Sequence, residues 1–280
     1  MSQIFPKGGV AVITGGASGI GLSLAKKCHR NEMRVIIADR DEEALDAAIK
    51  GLGAAVTTHK MDVGHREDWE VLTQMLHKDF GGKVDFLALN AGMVAQSSWT
   101  DASIFEHIYR TNILGVVNGI AALLPLVETT ASAGTRPSII ITGSKQGITN
   151  PPGNPAYNSS KAAVKSLAEH LSWDLRDKNI SVHLLIPGWT YTGMSGNRFN
   201  AGTTKPDGAW WPDQVVDYLE KKIQEGQFWV VCPDNDVSED LDKKRVKWAV
   251  GDLVEGRPPL SRWREDWKEQ AQKSIDGMDS

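Results

Sequence analysis

Residues 10–21 read Val-Ala-Val-Ile-Thr-Gly-Gly-Ala-Ser-Gly-Ile-Gly. The first five are apolar or β-branched without alternation, the pattern of a strand buried on both faces of a parallel sheet. Glycines at 15, 19 and 21 then permit a tight turn, and an amphipathic helix is expected from near Leu22. A glycine turn between a strand and a helix lets backbone N–H groups approach a pyrophosphate at the helix N-terminus. Either half of that pattern alone is weak; together they fix an α/β fold built for an anionic ligand.

Working outward, a second strand over 34–38 runs into Asp39, 18 residues after Gly21. That spacing suits an acid that accepts hydrogen bonds from both hydroxyls of an adenosine ribose and repels a 2′-phosphate, so NAD is expected over NADP. Arg40 is the counterweight, since a neighbouring guanidinium can swing toward a phosphate; the bland reading of Asp39 is a turn or cap residue. A third strand, 55–61, leads to Asp62 and Val63, which can hold and cover an adenine ring or merely cap the helix expected over 66–80. A fourth strand, 84–89, ends in Asn90-Ala91-Gly92, small residues that leave room beside the sheet. A helix is expected from Ser103 to Leu124, with Asn112 inside it followed by an apolar run. A buried amide there needs partners, either as packing or as support for a proton relay.

The β-branched run 138–142 is a fifth strand, with Ser144 just past its carboxyl end, the rim where α/β sheets bind ligands. After a Pro/Gly-rich loop, Val164, Leu167, Ala168, Leu171 and Leu175 recur at helical spacing, so Tyr157 and Lys161 lie one turn apart on one helix face. A free phenol titrates near ~10, and an adjacent cation is expected to pull that value down, giving an acid–base group usable at neutral pH. Ser144 can hold the substrate oxygen. Alone, a Tyr-x-x-x-Lys tetrapeptide is any exposed helix pair; the serine at a strand end is what singles it out.

A sixth strand, 180–186, contains His183, read as a core or strand-face histidine, and is followed by Pro187-Gly188-Trp189-Thr190-Tyr191-Thr192. Residues 193–210 are Gly-, Asn- and Thr-rich and read as a lid carrying the specificity. Trp189, Tyr191, Phe199, Trp210 and Trp211 make it aromatic. A helix over 212–226 and a last strand over 228–232 precede a charged tail with Trp248, Trp263 and Trp267. That tail reads as a packed extension or subunit contact, with a solvated end beyond about Glu269 as the alternative.

At 280 residues the chain suits one large domain, and its net charge of −4 gives no field for nucleic acid or an anionic membrane. Cys28 and Cys232 are read as small core residues, and no cysteine or histidine shows metal-ligand spacing. The N-terminus has no signal-like apolar region and no stretch reaches the ~18 apolar residues of a bilayer span, so a cytoplasmic protein without membrane contact is expected.

Taken in order, TGGASGIG at 14–21, Asp39, DV at 62–63, NAG at 90–92, Asn112, Ser144, YNSSK at 157–161, and Pro187-Gly188 with Thr192 resemble the short-chain dehydrogenase/reductase family, over about Val10 to Cys232. The resemblance implies a Rossmann-type, doubly wound parallel sheet of order 3-2-1-4-5-6-7 in a single domain over 1–232. The lid lies at about 193–210, and a charged extension over 233–280 packs on that domain or at a subunit interface. It implies Asn112, Ser144, Tyr157 and Lys161 as catalytic residues, with a water on Asn112 relaying protons behind Lys161. It implies NAD, with NADP the alternative, held by Gly15, Ser18, Gly19, Ile20, Gly21, Asp39, Arg40, Asp62, Val63, Asn90, Ala91, Gly92, Tyr157, Lys161, Pro187, Gly188, Thr190 and Thr192, and no metal. The implied reaction is hydride transfer between a secondary alcohol, hydrophobic or aromatic, and its ketone, in a homodimer or homotetramer. Departures are LNAG at 89–92, Thr190 in place of an aliphatic residue, and the long charged tail. Two other readings stay open: a cofactor-assisted dehydration or isomerisation, and a nucleotide-binding protein without redox chemistry.

Overall fold

Seven strands pair side by side, all parallel; the central ones are apolar on both faces and covered by helices on both sides, while the edge strand over 56–60 is polar and half-exposed. The computed structural model describes residues 4–53, 56–195 and 204–279. Its strands are β1 Val10–Thr14, β2 Arg34–Asp39, β3 Val56–Lys60, β4 Phe86–Leu89, β5 Ser138–Thr142, β6 Ser181–Ile186 and β7 Trp229–Val231, in the order β3-β2-β1-β4-β5-β6-β7. Val12 is paired with Ile36 on one side and Leu87 on the other. The chain builds outward from β1 to β3 and then returns to place β4 on the opposite side of β1, which makes a switch point at the carboxyl ends of β1 and β4.

Alternation along each strand divides the core in two. Val10, Val12, Ile36, Leu87, Ile139 and Leu184 belong to one buried cluster with Trp69, Leu123 and Val164. Those three lie on the helices α3 Arg66–Phe80, α5 Gly115–Ser132 and α7 Pro155–Asp174. Ala11, Ile13, Val35, Ile37, Phe86 and Ile140 face the other way, onto Leu24, Leu45 and Leu219. These belong to α1 Gly19–Arg30, α2 Glu42–Leu52 and α8 Pro212–Gln224. Cys28 and Cys232 are buried in this second layer as free thiols. His183 is buried on β6 with Nδ1 2.7 Å from Gln227 O, so Nδ1 carries the proton, and burial lowers the ring's basicity.

Beyond shifts of one or two residues at other ends, three features depart from the sequence reading. β4 starts at Phe86 rather than Val84, because Val84 N donates to Thr130 Oγ1 (2.9 Å) and Asp85 turns its carboxylate back onto Val10 N (2.8 Å). The helical run expected to stop before Pro125 continues to Ser132, since Leu126 and Val127 beyond the proline are core residues. The same run is interrupted: α4 Ala102–Tyr109 passes into a π-helical turn, Arg110–Leu114, before α5. By length and composition, residues 102–132 are apolar enough to cross a bilayer, contrary to the sequence reading. Here the apolar side chains of α5 instead cover one face of the sheet.

The charged tail is ordered. α9 Glu239–Glu255 is capped by the Ser238 hydroxyl, which accepts from Leu241 N (3.1 Å), and is closed by Gly256 at φ +69°. α10 Lys268–Asp276 covers the stretch where a solvated end was the alternative, and its Ala271 and Ile275 bury against Trp248.

Candidate active site

Because every strand is parallel, all the chain segments that leave carboxyl ends meet on one rim, and there they enclose a cleft of about 870 Å³. Its first wall is the glycine turn. Gly15 and Gly19 have φ of +61° and +52°, a region that disfavours other residues. A Cβ at Gly15 would stand 2.9 Å from Ala91 Cα, and one at Gly19 would stand 3.0 Å from Thr192 Cγ2. Ser18 caps α1 without a side-chain hydrogen bond to it, and the first turn of α1 carries no acid. The N–H groups and positive end of α1 are therefore left for an anion in the cleft. Gly21 does not line the cleft. A Cβ there would lie 2.1 Å from Gly15 O, so this glycine serves the close seating of helix on turn.

Asp39 lines the cleft at the end of β2 and accepts from Ala17 N and Asp41 N, both at 3.2 Å. Burial raises its carboxyl above the ordinary range, opposed by backbone N–H groups of Asp41, Ala17 and Arg40. Arg40 is exposed on the same wall. Asp62 and Val63 also line it. Asp62 serves a turn as well, accepting from Gly64 N (2.8 Å), while Asp68 rather than Asp62 reaches back to a backbone donor before α3 (2.7 Å).

The floor is a polar seam across three strands. Asn90 donates through Nδ2 to Thr14 O (3.2 Å) and accepts through Oδ1 from Thr142 Oγ1 (3.2 Å), while Thr14 Oγ1 accepts from Asn90 N and Ala91 N. Thr14 and Thr142 went unread in the sequence, although each is the polar residue closing a buried strand.

At the far end, Asn154 caps α7, whose first two turns place Tyr157 and Lys161 on the cleft side; they are only 8 % and 4 % exposed. Lys161 Nζ donates to Thr142 O (2.9 Å) and lies 5.9 Å from the Tyr157 ring centre. Burial lowers Lys161 from its ordinary 10.5 to about 8. Burial also raises the Tyr157 phenol, and what pulls it back is the Ser144 hydroxyl. This corrects the expectation that Lys161 acidifies the phenol: with the ammonium itself desolvated and turned to the Thr142 carbonyl, the loss of hydration dominates.

Asn112 is 1 % exposed and stands one layer behind the cleft. Its Oδ1 accepts from Met93 N (2.8 Å), and its Nδ2 donates to Met93 O (3.0 Å) and Ser160 Oγ (2.9 Å). The amide thus ties the π turn to the Met93 strip and to α7, the packing role weighed from the sequence. Gly92 keeps a gap beside it, for a Cβ there would lie 3.4 Å from Lys161 Nζ and 3.5 Å from Asn112 Oδ1.

Pro187, Gly188, Thr190 and Thr192 line the cleft after β6, as do Ala91 and Gly92. Of the five aromatic residues assigned to a lid, Trp189 lines it. Trp211 packs edge-on to buried Tyr191 (5.5 Å) and Trp210 packs edge-on to Tyr218 (5.9 Å), away from the cleft. Phe199 lies outside the described residues. Met194, an apolar point of the expected lid, lines the mouth with Met93 and Val94, which went unread in the sequence. Among the described residues no cluster of three metal-ligating side chains occurs.

This cleft can be compared with known proteins. The family model for short chain dehydrogenases matches residues 9–202. The chain belongs to the short-chain dehydrogenase family. Among its relatives, an oxidoreductase of Sarocladium schorii is 35 % identical over 182 residues, 64 % of this chain and 71 % of the relative. An uncharacterized oxidoreductase of Staphylococcus saprophyticus is 31 % identical over 67 % of this chain and 81 % of its own length. A short chain dehydrogenase/reductase of Burkholderia phymatum, solved in complex with NAD, superposes with a TM-score of 0.79 at 27 % identity, over 92 % of this chain and 98 % of that one. A Brucella melitensis 3-ketoacyl-(acyl-carrier-protein) reductase, solved with NADH, gives 0.72 at 25 % identity, over 82 % and 98 %. This short-chain dehydrogenase is therefore an oxidoreductase of the Rossmann-type architecture described above.

Proposed function

We propose that the protein interconverts a hydrophobic secondary alcohol and its ketone with NAD(H), using Tyr157 as the proton-transferring group. The observation that carries this reading is the convergence of Ser144, Tyr157 and Lys161 at one end of a cleft whose other end holds Asp39. The residues fit a dinucleotide: the glycine turn leaves a side-chain-free approach to α1, and Asp39 supplies a cleft-lining carboxylate that would accept from ribose hydroxyls. Asp39 favours NAD, and exposed Arg40 is the feature that would serve NADP instead.

When bound, nicotinamide supplies or accepts the hydride. In the oxidative direction Ser144 donates to and orients the substrate oxygen while Tyr157 Oη takes its proton. Lys161 keeps a positive charge behind the phenol, and protons leave through the gap beside Gly92 toward Asn112. Tyr157 acts as the phenolate in this step, and a positive charge brought into the cleft would offset the burial that raises the phenol in the free protein. Met93, Val94, Trp189 and Met194 favour an apolar substrate body. The same reading includes a homodimer or homotetramer in the cytoplasm, with exposed Trp99, Leu114, Val117 and Trp173 available to subunit contact.

A panel of alcohols and ketones followed at the reduced-nicotinamide absorbance tests the activity. Tyr157→Phe is expected to bind NADH normally and to lose about 10³-fold or more in turnover; a near-parental rate would place the acid elsewhere. Fluorescence titration is expected to show NADH bound more tightly than NADPH, with Asp39→Ala narrowing the gap. A parent enzyme preferring NADPH would transfer control of the pocket to Arg40.

A further inference from the structure

Lys145 directly follows Ser144 and lines the cleft, yet its ammonium turns away from the substrate space. Nζ lies 3.0 Å from Asp234 Oδ2 and 2.7 Å from Asp242 Oδ2, and the three side chains are 13 %, 7 % and 2 % exposed. Ions this deeply buried persist only when paired, and breaking such a pair by removing one partner is far more costly than losing a surface bridge. Arg245 Nη1, 3.9 Å from Asp242 Oδ1, balances the second carboxylate.

The three members come from different segments. Lys145 belongs to the loop of Ser144, and its backbone N donates to Pro187 O (3.3 Å). Asp234 accepts Trp189 N on the same Oδ2 that meets the ammonium (3.1 Å), and its Oδ1 accepts Asp236 N and Val237 N (3.1 and 2.9 Å). Asp242 is in the first turn of α9, in the C-terminal extension. Gly188 passes directly over the cluster: a Cβ there would be 2.5 Å from Asp234 Oδ2 and 2.8 Å from Lys145 Nζ. One ammonium thus joins the serine loop, the adjacent 187–189 strip that leaves the neighbouring strand, and the extension.

We propose that Lys145 is a positioning residue through which the C-terminal extension, by Asp242, sets the Ser144 hydroxyl and the neighbouring 187–189 strip at the cleft. This rests on the role given to Ser144 above. It makes α9 part of the active-site scaffold, distinct from the proton-transferring group itself.

The test is Asp242→Asn, which keeps size and polarity but removes one charge. Two measurements are made on the full chain: hydrogen exchange by mass spectrometry, and steady-state kinetics with NADH and the most rapidly reduced ketone of the panel. Peptides covering 143–149 and 187–192 are expected to exchange about tenfold faster while β1 and β2 keep parental rates. The kcat is expected to fall about tenfold with KM and NADH affinity within about threefold. Parental exchange in these peptides, or a parental kcat, overturns the proposal. So does an equal loss of NADH affinity, which would mark general loosening of the fold. Should Asp242→Asn prove insoluble, Lys145→Arg is read by the same two measurements, because a planar guanidinium cannot reproduce the ammonium's position between two carboxylates. An active Tyr157→Phe enzyme would overturn the proton-transfer reading while leaving the exchange result to stand or fall by itself.

Discussion

Replacing Lys161 by methionine should stabilise the cofactor-free protein while abolishing turnover. The ammonium is fully desolvated, and its lowered value of about 8 against the ordinary 10.5 means that folding with the proton bound is costly. At about 1.36 kcal/mol per pH unit, the gap corresponds to about 3.4 kcal/mol at pH 7. Methionine fills a similar volume and removes this cost, at the loss of the hydrogen bond to Thr142 O, about 1 kcal/mol. The net gain is about 2 kcal/mol, or about 3 °C in Tm for a chain of this size. The sign follows from proton counting. Between about pH 8 and 10.5 the unfolded parent holds a proton that the folded parent has lost, so parental stability rises with pH across that window. The advantage of Lys161→Met should therefore shrink from about 2 kcal/mol at pH 7 to near zero by about pH 10. Urea unfolding of both proteins at several pH values measures it. A variant less stable than the parent at pH 7, or a difference that does not change with pH, would refute the claim that this lysine is held at a cost to the fold.

Asn112→Ala removes three hydrogen bonds from a site that is 1 % exposed and leaves both Met93 backbone groups without the partner they have here. A loss of about 3 kcal/mol is expected in urea unfolding, and a loss under about 1 kcal/mol would show that the amide does not tie the π turn. Cys28 and Cys232 are buried and burial raises both thiols far above their ordinary range. Neither should react with an aromatic disulfide reagent in the native protein, and two thiols should appear in denaturant; a native thiol titrating rapidly at neutral pH would contradict their burial.

The sheet was legible because most of its strands are unbroken apolar runs, the Val-Thr-Thr-His-Lys edge strand being the exception, and strand order followed from the resemblance carried by short motifs at fixed spacing. What escaped depends on contacts between distant segments. Val84 looks like strand, but a threonine hydroxyl on α5 takes its N–H. Pro125 looks like a stop, yet the residues beyond it are needed in the core. Asn112 and Gly21 carry motif positions but lie behind the cleft, one holding a turn and the other seating a helix. The acid strength of Tyr157 failed as an inference because spacing shows the adjacent cation but not the water both groups lose. Lys145 drew no reading from the sequence, since Asp234 and Asp242 approach it only once the chain has folded.

The five-residue turn at Arg110–Leu114 has a mechanical corollary. Such a turn absorbs one extra residue in a helix, whereas a residue deleted at the start of α5 with the turn kept would rotate everything beyond it by about 100° relative to α4. Val117 would then take the bearing of Val116, and Glu128 that of Val127, driving a carboxylate toward the hydrophobic layer beneath the sheet. Length in this stretch is thus guarded from both sides, and a shortening by a single codon would be paid at a distance from the reaction centre, in the packing of the whole layer.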